Sequence, residues 1–421
     1  MIPELRSTFN REFSSDAYSR FLADLGQRCG GPIPFRVAET PIFVEKTLLD
    51  GLADHGAELA RYLIADQDHL AGARRAIPAG YEVANETAHP SFLTADFALI
   101  RGSSGDLVPR LVEIQAFPSV FAYQVELSKA YISAFGLPDT LRMYLGGLDD
   151  ISYWDLFRRT VVGRHDPENV VLAEVDPLHQ KTYPDFHVTS HRLGIPVVDI
   201  ARIEAVGSKL HYRSGSGRLI PIDRIYNRAI ADELIARNVH LQFDFSREWD
   251  VEWAGHPNWY FLISKFSIPW LSRSRRFPVV PPAVFVDDFL AGPGSRFLAG
   301  AGVPLPQAGA GAEAVYSDLL LKPLFSFAGK GIEFAPSRTR LEQIPAGERT
   351  AFLVQQRMQF EPTIVTPFGL TQAEIRILYF WPDDGTLTPA LSLVRLGRGR
   401  MMGVDHNRNL EWVGGSAALY I

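Results

Sequence analysis

A chain of 421 residues, 46% hydrophobic and 21% charged, is long enough to bury a large core and suits two or three packed subdomains rather than one. Its formal charge of −6, with no lysine-arginine block to offset it locally, argues against a nucleic-acid partner; Arg273, Arg275 and Arg276 are the densest basic group and read as a solvated or phosphate-facing patch. Cys29 is the single cysteine, which excludes an intramolecular disulfide framework. The amino-terminal MIPELRSTFNREFSSDAYSRF has no apolar signal-like centre, so the expectation is a soluble cytoplasmic protein with no membrane partner and an oligomeric state that no motif sets.

The first eighty or so residues predict a helical layer. Thr47 to Ile64 places apolar side chains at helical spacing and Ile77-Pro78 marks a stop. Two strands follow, Phe92 to Ile100 and Pro109 to Ala116, joined by a Gly-Ser-Ser-Gly-Asp turn into a hairpin. Phe121 to Phe135 reads as a helix closed by Gly136-Leu137-Pro138. Val170 to Glu174, Gln180 to Leu193 and Pro196 to Ile200 then predict strand, helix and strand, a βαβ unit that implies a parallel sheet. Leu210-His211-Tyr212 and Leu219-Ile220-Pro221 flank the turn SGSGR, and Ile225 to Arg228 reads as a further strand end. Asn258 to Leu271 predicts one helix, Phe277 to Pro282 a proline-rich linker, and AGAGVPLPQAGAGAEA a mildly low-complexity, mobile stretch. Beyond them come strands at Leu319 to Leu321, Phe352 to Gln356, Glu374 to Trp381 and Leu391 to Leu396.

The segment LLLKPLFSFAGKGIEF carries the most chemistry. An apolar strand delivers Lys322 into a loop whose Gly329 and Gly331 permit close backbone approach to an anion, Pro323 interrupts regular pairing, and Ile332 to Phe334 returns as a strand. No G-x-x-x-x-G-K-[ST] loop opens a helix here, so a strand-loop-strand lid over phosphates fits better than a Walker site; an ordinary hairpin with a surface lysine is the competing reading. A second set lies upstream. Glu113 and Gln115, two apart on one strand, point to one face, and Asp96 on the paired strand can join them. Two carboxylates and an amide oxygen suit magnesium, whereas the plainer alternative is the polar outer face of a hairpin; the surrounding Leu111, Val112, Ile114 and Phe117 favour the first. Arg376, Arg395, Arg398 and Arg400 can serve phosphate or carboxylate through their guanidinium forks, and Arg395, following an apolar strand, is the preferred one. His187 and His191 lack a third ligand for zinc, and Cys29 lacks an identifiable base.

In their order along the chain these motifs resemble the circularly permuted ATP-grasp enzymes, of which glutathionylspermidine synthetase is the best-known type. The lysine strand and glycine loop lead to VQQRM as a strand running into a hinge, while the acidic strand, Glu113-Ile114-Gln115 after Thr94-Ala95-Asp96-Phe97, precedes them. Asp223 to Arg228, Ser264-Lys265 and Val280-Pro281-Pro282 echo further elements of that type, over roughly residues 88 to 421. The resemblance implies an α+β architecture: an ATP-grasp fold, circularly permuted, with an inserted Rossmann-like α/β domain and an N-terminal helical layer. It divides the chain into residues 1–87 (helical), 88–162 (acidic hairpin), 163–255 (Rossmann-like substrate domain) and 256–421 (phosphate loop). It implies ATP and magnesium as cofactors, with Lys265, Lys322, Ser326, Gly329, Lys330 and Gly331 at the phosphates, Gln355, Gln356 and Met358 at the adenine, and Asp96, Glu113 and Gln115 on the metal. Lys322, Arg376 and Arg395 would be catalytic. The implied activity is ADP-forming ligation of a small-molecule or peptide carboxylate to an amine through an acyl phosphate; phosphoryl transfer to a hydroxyl, or a non-catalytic nucleotide-binding scaffold, are the alternatives. Gln115 stands where the type has asparagine and keeps an amide oxygen, whereas Thr94 stands where the type has arginine, so a glutathione-like substrate is not implied.

Overall fold

The predicted acidic hairpin is the spine of a six-stranded sheet in a computed structural model that describes residues 1–306, 314–325, 331–402, 407 and 409–421. Five strands run in the order Gly414–Ser416, Thr388–Gly397, Gly369–Phe380, Phe92–Arg101 and Leu107–Gln115, every pair antiparallel, and Ile364–Thr366 folds back onto the start of Gly369–Phe380. Alternation sorts the side chains. Ala95, Phe97, Ile375, Ile377, Val394 and Leu396 face a core closed by Leu49, Leu52, Ala53, Leu59, Ala60 and Leu63 of the helix Lys46–Ala65. Each such leucine contributes roughly 1.5–3 kcal/mol by burial. The contact is close: a Cβ at Gly56 would lie 2.1 Å from the Tyr379 hydroxyl, which donates to the Ala53 carbonyl at 2.8 Å, so any side chain at Gly56 forces helix and sheet apart. On the opposite face one end of the sheet is apolar, where Phe92, Phe380 and Leu391 pack against the helices Phe121–Ala134 and Asp150–Val161, and the other end is charged.

The βαβ unit forms as predicted, within a parallel sheet ordered Glu252–Ala254, Arg224–Asn227, Val170–Glu174, Val197–Asp199. Its helix, Tyr183–Leu193, starts three residues later than expected because Pro177–His179 forms a separate 3₁₀ turn, and ends on Gly194 at φ 72°. From Val170–Glu174 the chain builds first to one side and later to the other, so the order reverses beside Arg224–Asn227, where the carboxyl ends of a parallel sheet open a crevice. Arg228, just past that strand, bonds to the Ser119 carbonyl and to Asp185 Oδ2 at 3.2 Å, tying this sheet to the loop between the acidic hairpin and the helix Phe121–Ala134. The turn SGSGR closes a three-stranded antiparallel sheet of Glu204–Val206, Lys209–Arg213 and Leu219–Ile222.

A third unit is a four-stranded antiparallel sheet ordered Ala283–Phe285, Phe352–Gln356, Leu319–Pro323, Glu333–Phe334. Val284, Val354, Leu319 and Leu321 line one face and pack on Val286, Phe289, Leu298 and Leu341. The other face carries Lys322, Leu353, Leu320 and Gln355, by the same alternation.

Several expectations need correction. The helix expected over Asn258 to Leu271 is two short helices, Trp259–Leu262 and Ser267–Ser274; Ile263 between them is extended and its carbonyl accepts from Ala116 N–H at 2.9 Å. Tertiary pairing with the hairpin edge outweighs local helical periodicity there. The N-terminal layer is not wholly helical, since Ile42–Val44 pairs in parallel with Ala418–Tyr420, a partner nearly four hundred residues away. Pairing also runs one residue past Lys322, to Pro323 opposite Phe352. The low-complexity stretch lies partly outside the described residues. Among the described residues no helix is long and apolar enough to cross a membrane.

Candidate functional site

The charged end of the six-stranded sheet is built by register. Asp96 lies opposite Arg376 on one side and Glu113 on the other, Thr94 lies opposite Gln115, and Glu374 lies opposite Arg395. Cross-strand partners share a face, so these side chains project together from four adjacent strands. Arg376 grips Asp96 with both prongs of its fork, Nε to Oδ1 at 2.5 Å and Nη2 to Oδ2 at 2.7 Å, and its Nη1 donates to Ser119 Oγ at 3.1 Å. Arg395 Nη1 bridges Asp96 Oδ2, at 3.0 Å, and Glu374 Oε1. Asp96 is only 2% exposed and Glu374 6%. Burial alone would raise the Asp96 carboxyl, but the Arg376 and Arg395 charges outweigh it and hold Asp96 below the usual carboxylate range. For Glu374 burial wins over Arg395, and its carboxyl is raised.

Lys265 enters from the edge of the same sheet. Hydrogen bonds from Leu111 N–H to the Val279 carbonyl and from Ala116 N–H to the Ile263 carbonyl lay the 263–279 segment along the strand Leu107–Gln115. Its ammonium then reaches Glu113 Oε1 at 3.0 Å, the oxygen that also accepts from Gln115 Nε2 at 2.7 Å. Lys322 comes from the four-stranded sheet. It is 4% exposed, and its ammonium has no hydrogen bond or ion pair among the described residues. Burial pushes its ammonium down from the ordinary 10.5 to about 8, the Glu113 and Glu374 carboxylates oppose that shift, and the neighbouring Lys265 charge adds to it. Both lysines therefore face the acidic row from different elements.

Gln355 shares the face of Lys322. It is fully buried, its backbone pairs with Ala283 and Leu320, and among the described residues neither side-chain amide atom has a hydrogen-bond partner. A buried amide left open on both atoms costs about 1–3 kcal/mol per unpaired group, which a bound donor-acceptor partner would offset. Gln356 is half-buried and its N–H bonds the Pro282 carbonyl at 2.8 Å; Met358 is half-buried in the loop beyond. Aromatic side chains close one flank. Tyr260 contacts Phe117 at 5.7 Å and Phe325 at 6.1 Å between ring centroids, and its hydroxyl donates to Asp232 Oδ2 at 2.9 Å.

Of the residues singled out in the sequence, the structure brings Asp96, Glu113, Gln115, Lys265, Lys322, Arg376 and Arg395 into one largely buried polar cluster, with Gln355 on the Lys322 face. Gly331, exposed at φ 78°, sits in the turn two residues before the return strand Glu333–Phe334; Ser326, Gly329 and Lys330 lie outside the described residues. Arg398 is elsewhere, fastening the C-terminal loop through Thr371 Oγ1 at 3.1 Å and the Glu411 carbonyl at 2.5 Å, and Arg400 is exposed. Cys29 is buried, and that burial pushes its thiol up to about 12, away from the reactive thiolate. His187 packs its ring under Gly30, and among the described residues no three His, Cys, Asp or Glu side chains gather as a metal set. Sequence reasoning missed Glu374 and Ser119. Glu374 was findable, since it sits two residues before Arg376 on one strand; Ser119 carries no signal beyond its position after Phe117-Pro118.

No known family profile matches the chain, and no curated protein matches it by sequence. Among solved structures, a glutathione synthetase-like effector from Globodera pallida in its apo form is similar at a TM-score of 0.54 and 10% identity, over 100% of this chain and 99% of that one. At that identity the likeness is one of fold: an α+β architecture shared with a glutathione synthetase-like scaffold.

Proposed function

We propose that the chain is an ADP-forming ligase of the permuted ATP-grasp type, joining a small-molecule or peptide carboxylate to an amine. The observation that carries this reading is the convergence of Lys322 and Lys265, from different elements, on the acidic row at Glu113, with the open amide of Gln355 on the Lys322 face. A nucleotide fits that arrangement. Its phosphates meet the two ammonium groups, and its base lies towards Gln355, whose Cα stands diagonally across the strand pair from that of Lys322, roughly 7–8 Å away.

The chemistry asked of these residues is positioning and charge neutralisation. Lys322 and Lys265 neutralise the transferring phosphoryl group as it passes in line to the substrate carboxylate. Arg376 and Arg395, anchored on Asp96, present their remaining N–H groups to the acyl phosphate. The amine then attacks the acyl carbon and phosphate leaves. The magnesium implied by the resemblance does not fit the donor set as arranged, because Asp96 and Glu113 are committed to protein cations and Gln115 turns its NH2 towards Glu113; no step is assigned to it. The crevice at the carboxyl ends of the parallel sheet, joined to the cleft through Ser119, suits the second substrate.

Purified protein incubated with ATP and carboxylate pools in the presence of hydroxylamine tests this: hydroxamate with matching ADP release is expected, and ATP binding without hydroxamate from any pool counts against the ligase. A second reading, a nucleotide-binding scaffold without turnover, is favoured by the doubly held Asp96 and by the uncharged, buried Thr94. Steady ADP release abolished by Lys322→Ala in folded protein would remove it.

A further inference from the structure

The acidic row differs from a magnesium site in how each oxygen is already used. Asp96 Oδ2 accepts from both Arg376 Nη2 and Arg395 Nη1, while Oδ1 accepts from Arg376 Nε. Glu374 Oε1 is taken by Arg395 and Glu113 Oε1 by Lys265 and Gln115. The Gln115 contact is informative on its own, since only the NH2 end of an amide donates to a carboxylate and the oxygen that would ligate a metal is therefore turned away. Magnesium requires near-octahedral oxygens at about 2.1 Å and would sit among guanidinium nitrogens that already lie within hydrogen-bond distance of those oxygens. Displacing the fork would leave two buried guanidinium groups sharing Glu374, an uncompensated arrangement that costs several kcal/mol. Asp96, Glu113 and Glu374 are each already paired with Arg376, Arg395 or Lys265, and Asp232 adds a further carboxylate near Lys265, while Lys322 has no ion pair among the described residues and is the cation left for an anion.

We infer that this cleft binds its polyphosphate ligand without a divalent metal, the phosphate charge being met by Lys265, Lys322, Arg376 and Arg395, and that Asp96 serves as the anchor of the two arginines rather than as a metal ligand. The inference rests on the nucleotide reading above and sharpens it. Asp96 sets where the guanidinium groups stand, Ser119 holds the far side of Arg376, and Glu374 keeps Arg395 from swinging out of the cleft.

Calorimetric titration of the full-length protein with ATP, once in excess Mg2+ and once in EDTA, tests it. The expected result is a dissociation constant that changes by less than threefold between the two conditions. A loss of tenfold or more in EDTA overturns the inference while leaving the nucleotide reading in place. Absence of ATP binding in both conditions overturns the nucleotide reading and this inference together.

Discussion

Replacing Lys322 with methionine should make the ligand-free protein more stable, not less. The ammonium is buried with a proton affinity lowered from 10.5 to about 8, so the folded state holds the charged form at a cost. Each tenfold change in proton affinity corresponds to about 1.4 kcal/mol, which puts that cost at roughly 3 kcal/mol. The sign follows from linkage. Below pH 8 the lysine is charged in both states and the folded protein bears the whole cost; between pH 8 and 10.5 the folded state releases its proton first and the cost fades; above 10.5 it is absent. Urea unfolding of wild type and Lys322→Met at pH 7 and pH 10 reads this directly. The variant should exceed wild type by about 3 kcal/mol more at pH 7 than the methionine swap alone gives, and all but about 1 kcal/mol of that excess should be gone at pH 10. ATP reverses the pattern, because a phosphate beside Lys322 restores its proton: above pH 8 binding should take up a fraction of a proton, visible in titrations run in buffers of different ionisation enthalpy, and should weaken as pH rises. A stability gap independent of pH, or a less stable variant at pH 7, refutes the reasoning.

Gln355→Met removes the buried open amide and should stabilise the free protein by about 1–3 kcal/mol while weakening ATP severalfold, as followed by thermal unfolding and titration. Arg395→Met strips Asp96 and Glu374 of a shared buried cation and should cost about 3–5 kcal/mol in urea unfolding. Glu174, pushed up to about 8 chiefly by burial, is protonated in the folded state at neutral pH, so wild-type stability falls as pH rises from 4.5 to 8. Glu174→Gln should therefore gain on wild type between pH 5 and pH 8.5 in thermal midpoint.

Much of this site was readable in the chain because local spacing coincides with spatial grouping. Glu113 and Gln115 share a face because they are two apart, whereas the register leaving the Gly-Ser-Ser-Gly-Asp turn would set Asp96 opposite Val112, and a bulge between Asp96 and Phe97 that no local signal announces shifts it opposite Glu113. Lys322 announces itself as a cation ending an apolar strand. What the chain did not disclose is long-range register. Nothing near Asp96 says that Arg376, 280 residues later, lies beside it and closes a fork on it. Nothing near Ile42 says that its strand is completed by Ala418–Tyr420. The Ile263 break is of the same kind, since its helical neighbours give no hint that its carbonyl belongs to Ala116. Electrostatic meaning likewise depends on neighbours: Glu374 looks like any strand acid until Arg395 and Asp96 are placed around it.

The most direct measurement is equilibrium binding of ATP to wild type and to Lys322→Met, with folding of both verified by circular dichroism. The account predicts one ATP bound per chain to wild type and at least tenfold weaker binding to the variant. Wild type that does not saturate with ATP at millimolar concentration, or a variant that binds it equally well, contradicts the assignment of this cleft to a nucleotide.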